Sequence, residues 1–273
     1  MQMTLKPSTR TITPLALTLL GVPAALSSPA QAALPPEVAP LVAKLASVRP
    51  SSERFEVGIT VRPKRLPKNY AGLRKITLSE KGEATLAPPL EGTVTTTALG
   101  RSETIRAIGD TVYVEDRALA AHDGGRPWVV SKSAQSESFP LGVGTAGAAP
   151  PFAKLAREIE TGRDVKVLGT TTISGQPVTR VSFTLIPSDL VSGKLALAVR
   201  KLRHATSRLE VDLNAEGIPL RTAGVIAVGK IRIGLTAELT ALDFPLSVAP
   251  PASSETITEK EALALLKKKK NGK

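Results

Sequence analysis

From Lys230 to Leu242 the chain alternates strictly. Ile231, Ile233, Leu235, Ala237 and Leu239 take one set of positions, and Lys230, Arg232, Thr236, Glu238 and Thr240 take the other. Successive strand side chains point to opposite faces, so this run predicts a strand with one apolar side. At about 3.3 Å per residue it is roughly 40 Å long, which is long for a small sandwich. The same period recurs in hairpins. Val165–Ile173 is β-rich, Ser174-Gly-Gln-Pro177 carries turn chemistry, and Val181, Phe183 and Leu185 then alternate with Arg180, Ser182 and Thr184. Leu209, Val211 and Leu213 alternate with Arg208, Glu210 and Asp212 before the turn Asn214-Ala-Glu-Gly217. Each of these units has an apolar side that needs a cover.

The rest of the chain supplies more strands and a few helices. Phe55, Val57, Ile59 and Val61 predict a strand ending at Pro63, and Ile76–Leu78, Ala84–Leu86 and Gly92–Leu99 suggest shorter ones. Ser102–Ile108 and Thr111–Val114 flank Gly109-Asp110, a pair suited to a hairpin turn. Helical spacing appears at Val38, Leu41, Val42, Leu45 and Val48 after Pro35-Pro36, and again at Phe152, Leu155, Ala156 and Ile159. A third helix, capped by Ser188 or Asp189, would place Leu195, Ala198, Val199 and Leu202 on one side. Strand runs joined by turns, with helices between them, argue for an α+β fold with one curved antiparallel sheet carrying helices on one face.

Composition narrows the chemistry. The chain has 273 residues, no cysteine and two histidines, His122 and His204, so disulfides and thiol chemistry are excluded and a histidine-based site has little raw material. No G-x-S-x-G pattern occurs. Asp212-Leu-Asn-Ala-Glu-Gly217 imitates a calcium loop, but its twelfth position is Ala223 where a carboxylate is required, so it reads as a turn. No cofactor and no metal is implied, and the chain reads as a non-enzyme. Aromatics make up only 3%, so Leu, Val, Ile and Ala must fill the core. The formal charge of +12 points to anionic surroundings, either a membrane or a cell-wall surface. Without basic residues interleaved with aromatics, nucleic acid is not an expected partner.

The ends carry their own signals. Lys6 and Arg10, the apolar stretch Leu15–Leu26 and Ala30-Gln-Ala32 read as a cleaved signal peptide over residues 1–32, which places the mature chain in a periplasm, cell envelope or extracellular space. Lys267, Lys268, Lys269 and Lys270 end a basic tail, residues 253–273, that is either a membrane-surface contact or a solvated extension.

The succession Glu103-Thr-Ile-Arg-Ala-Ile-Gly-Asp-Thr-Val-Tyr-Val114, Arg126-Pro-Trp128, Val167-Leu-Gly169, Gly175-Gln-Pro-Val178, Leu209-Glu-Val-Asp-Leu-Asn-Ala-Glu-Gly-Ile-Pro-Leu-Arg221 and Leu242-Asp-Phe-Pro-Leu246 resembles the bacterial lipoprotein-carrier superfamily of LolA-type and LppX/LprG-type proteins. The resemblance implies a lipid-binding domain over residues 33–252. It also implies a strongly curved half-barrel sheet with helices on its concave side and an apolar cavity for acyl lipid or lipoprotein, in a monomer. The lining would come from Val112, Val114, Trp128, Phe139, Phe152, Val181, Phe183, Leu185, Leu195, Val199, Leu209, Val211, Ile231, Ile233 and Leu235. The same residues would equally form a solid core. Trp128, Phe139 and Phe152 flank a Gly/Ala/Pro loop, Pro140–Pro151, that is either a lid or a pinned connection. The chain departs from the LppX/LprG branch in having no cysteine to lipidate, so no lipid anchor is implied. An envelope sensor or regulatory interaction module on the same fold is the alternative function.

Overall fold

The computed structural model describes residues 34–63, 75–86, 89, 91–120, 125–131, 151–185, 206–228 and 231–271. The elements are, in order, α1 (Ala39–Ser47), β1 (Ser52–Pro63), β2 (Ile76–Thr85), β3 (Glu91–Ala98), β4 (Arg101–Ile108), β5 (Thr111–Glu115), α2 (Arg117–Ala120), β6 (Trp128–Ser131), α3 (Pro151–Thr161), β7 (Arg163–Ile173), β8 (Gln176–Leu185), β9 (Thr206–Leu213), β10 (Pro219–Val228), β11 (Ile231–Leu242), β12 (Thr256–Thr258) and α4 (Glu259–Asn271). The segment expected as a signal peptide, Phe139, residues 140–150 of the expected loop, the expected third helix with Leu195 and Val199, and both histidines lie outside the described residues.

All the strands join one sheet of 12, ordered β12-β6-β5-β4-β3-β2-β1-β11-β10-β9-β8-β7. The alternation at Lys230–Leu242 explains its centre. β11 pairs antiparallel with β1, bringing together residues far apart in sequence, such as Val57 with Ala237 and Ile59 with Leu235. The hairpins behave as their turns dictate. Ser174 and Gly175 both have positive φ (49° and 80°), the conformation that matches a two-residue turn to the right-handed twist of its strands.

The expected half-barrel is not formed. The sheet is not strongly curled or closed: β12 and β7 are its two unjoined edges, and it is mixed, because β12 runs parallel to β6. Strong curvature needs bulges that bend strands out of the ladder. The ladders from β1 through β6 run in uninterrupted register, and shifts occur only beside Arg54/Phe55, Pro219/Arg221 and within β7. The helices do not fill a concave side either. α1 and α3 pack on each other over β8 and β9, and α4 sits at the opposite edge beside β6 and β12.

Pairing register separates two faces. The helix face carries Phe55, Val57, Ile59, Val94, Ile105, Val112, Val181, Phe183 and Val211. The strap face is crossed by residues 243–252. That segment is fixed at Asp243, whose Oδ1 accepts from Ser51 N and Oγ at 2.7 and 3.0 Å, and at Phe244, whose ring lies 4.5 Å from the Arg54 guanidinium. Farther along, Val248 N donates to Glu91 Oε2 at 3.2 Å and Arg106 Nη1 to Ala249 O at 3.1 Å. Beyond this crossing the chain adds β12 to the sheet's far edge.

Candidate functional site

The helix face carries one row that is apolar from β11 to β12. It runs Leu239, Phe55, Gly82, Val94, Ile105, Val114, Val129, Ile257 through successive pairings from β11 to β12. Gly82 is small for a reason: a Cβ there would stand 2.8 Å from Phe55 Cζ and 2.8 Å from Thr93 O, so the Phe55 ring occupies the space a side chain would take. Phe55, Val57, Val94, Ile105, Ala107 and Val112 form a buried cluster, edged by half-buried Ile59, Val114, Leu235 and Ala237.

Polar residues interrupt this face, Glu80 the most deeply buried of them. The next row runs Ala237, Val57, Glu80, Thr96, Glu103. Glu80 is fully buried. Its Oε1 accepts a long hydrogen bond from Thr96 Oγ1 at 3.4 Å, and its Oε2 has no partner. Burial pushes the carboxyl above its ordinary range, opposed by the Thr96 hydrogen bond. Glu103 is raised as well, by desolvation and by the neighbouring charges of Asp116 and Glu115. Sequence reading missed Glu80 because Gly82 breaks the apolar alternation of β2, which then looks like two short strands. Continuing the period through Ile76, Leu78, Glu80, Gly82 and Ala84 would have placed the glutamate on the apolar side.

The candidate lining residues fall into three groups. Val181, Phe183, Leu185, Leu209 and Val211 form, with Phe152, Ala156 and Ile159 of α3 and with Val38, Val42 and Leu45 at α1, one packed core at the β8–β9 end. Val112, Val114 and Leu235 belong to the middle cluster, and half-buried Ile233 pairs with Val61 on the same face. Ile231 starts β11. Trp128 is on the other face, paired with Glu115 and Thr256, with the Arg106 guanidinium 4.7 Å from its ring. Lys267 to Lys270 fall in the last turns of α4.

The helix-covered end holds a further buried acid. Glu158 of α3 lies 3.8 Å from Lys154 Nζ, and neither group has a hydrogen-bond partner. Burial holds the Glu158 carboxyl up at about 7 and pulls Lys154 down, both departures favouring the neutral pair. On the strap face Arg180 grips the buried carboxylate of Asp212 with two hydrogen bonds of 2.7 and 2.9 Å. Asn214 closes the β9–β10 turn, its Oδ1 accepting from Glu216 N at 3.1 Å and Ile218 N at 2.8 Å. Among the described residues no group of three or more His, Asp or Glu side chains converges as a metal site would require, and no helix is long and apolar enough to cross a membrane.

Neither a scan of protein-family models nor a search of curated proteins gives a match. Solved structures give distant likenesses. LprF from Mycobacterium bovis is 14% identical over 81% of this chain and 99% of its own, with a TM-score of 0.49. The Mycobacterium tuberculosis lipoprotein LppX is 17% identical over 77% of this chain and 99% of its own, at 0.38. A putative outer membrane lipoprotein-sorting protein domain from Vibrio parahaemolyticus is 13% identical over 76% of this chain and 92% of its own, at 0.27. At these identities and scores the likenesses define no family for this chain.

Proposed function

We propose that the protein is an exported, non-enzymatic carrier that holds acyl lipid, or the acyl chains of a lipoprotein, against the helix face of its sheet and moves them within a bacterial envelope. The observation that carries this reading is the apolar row from Leu239 to Ile257 on that face and the buried cluster around it, with half-buried Ile59, Val114, Leu235 and Ala237 edging that cluster while α1 and α3 pack over the β8–β9 end. Each buried methylene is worth about 0.8 kcal/mol, so acyl chains cross water only under a shield, and a broad apolar face with few polar groups shields without selecting one head group. In this reading Val112, Val114, Ile233 and Leu235 contact the chains, and Val181, Phe183, Leu185, Leu209, Val211 and Phe152 form the packed end wall. Glu80, raised in pKa, offers one polar contact to a head group or ester.

The test is native mass spectrometry of the exported protein purified without detergent, followed by titration with a fluorescent fatty acid. Acyl adducts, or saturable probe binding that Leu235→Glu abolishes in a folded variant, support the carrier. A bare mass together with no saturable binding refutes it and favours the sensor or interaction module.

A further inference from the structure

The fold brings together, at one end of the sheet, basic residues that stand far apart in sequence. β1 and β10 finish at this end, and β2, β9 and β11 begin there. On the strap face of that end, Arg62 pairs directly across from Arg232, and Arg208 pairs with Val225 one strand farther along. Lys75 immediately precedes β2. All four basic residues are exposed, and none has an ion-pair partner among the described residues. Elsewhere on the same face several basic residues have acidic partners: Arg54 with Glu83, Lys81 with Glu56, Arg180 with Asp212, Arg221 with Glu238. The connections that leave this end continue the trend in sequence, with Lys64, Arg65, Lys68 and Arg74 before β2 and Lys230 before β11. The turns at the opposite end carry Asp110, Glu216 and Asp243.

Two features of the patch point outward. Like charges directly opposite each other across a strand pair destabilise a sheet, so the Arg62–Arg232 pair works against the fold it sits in. Beside it Val225 is 48% exposed, a large apolar side chain framed by arginines. Unpaired cations around an exposed aliphatic group match a bilayer interface, where phosphates neutralise the charges and the aliphatic group enters the acyl boundary. We infer that this end of the sheet, through Arg62, Lys75, Arg208, Arg232 and Val225, docks the protein on an anionic phospholipid bilayer. The inference is independent of the carrier reading, because it needs no bound acyl chain.

The experiment is co-sedimentation of the full chain with vesicles of 7:3 phosphatidylcholine:phosphatidylglycerol, at low and physiological salt. At about fivefold per basic residue, the variant Arg62→Gln/Arg232→Gln is expected to lose roughly 30-fold in partitioning, with a weaker salt dependence. Its melting temperature should match or exceed wild type, since a like-charge pair has been removed, which separates lost docking from lost folding. Lys267→Gln/Lys268→Gln changes net charge equally at another place and is expected to lose only a few-fold. Equal losses in the two variants would show that total charge alone drives binding and would overturn the site. So would equal binding to pure phosphatidylcholine, no binding by wild type, or tighter binding to soluble polyglutamate than to the vesicles.

Discussion

Glu53 offers a quantitative check on the electrostatics of this fold. It stands near the start of β1, paired with Leu242 and Ala84, and is 9% exposed. Burial lifts its carboxyl from 4.5 to about 7. The folded state therefore holds the proton over a range in which the unfolded chain has released it. Stability from this group is fully present below about pH 4.5, declines as pH rises towards 7, and is constant above that. The shift corresponds to roughly 3 kcal/mol between the two limits. Glu53→Gln keeps the shape and cannot ionise. Urea unfolding of wild type and variant at pH 4, 6 and 8, at fixed ionic strength, should give a difference near zero at pH 4 that grows to as much as 3 kcal/mol in favour of the variant at pH 8. Glu158 titrates in the same window in both proteins and cancels from the difference. A difference that does not change with pH, or one that favours wild type at pH 8, would refute the assignment of a buried, unionised carboxyl at this position.

Three further perturbations test other parts of the structure. Asp212→Ala should destabilise by about 1–3 kcal/mol because it removes the bidentate partner of Arg180, and a double-mutant cycle with Arg180→Ala should show most of the loss as coupling. Gly217→Ala should cost more than about 1 kcal/mol in chemical denaturation, since φ is 79° and a Cβ would approach Leu41 O and Leu45 N of α1 to 2.8 Å. Phe183→Ala should lower stability by about 3–5 kcal/mol by opening a cavity between β8 and the two helices, and a loss under 1 kcal/mol would mean that end is not the packed wall described above.

Which features could be read from the sequence follows from where each one is encoded. Strands show in local alternation, so β1, β8, β9 and β11 and the turn at Ser174-Gly175 are legible residue by residue. A face assignment fails where alternation fails. Trp128, Val129 and Val130 are all apolar, so nothing local says that Trp128 turns to the strap face while Val129 joins the helix face. The three-residue strand Thr256–Thr258 has too little pattern to mark it, and Pro250-Pro251 reads as an extended exit although its neighbours hold the strap against Glu91 and Arg106.

Curvature and partner choice are encoded differently. Whether a sheet curls depends on bulges and register, which alternating residues do not specify, so the alternation that marks the strands does not set the shape of the sheet they build. Partner choice is likewise non-local: β1 accepts β11 because Phe55, Val57, Ile59 and Val61 meet Leu239, Ala237, Leu235 and Ile233 on one face, a match visible only once the pairing is known. That pairing is also what sets Arg62 against Arg232. An apolar match strong enough to fix the register carries the charged positions along with it, and it leaves two arginines facing each other on the strap side. The unsatisfied pair is thus a by-product of core packing unless something anionic meets it from outside, and the vesicle experiment distinguishes these two cases.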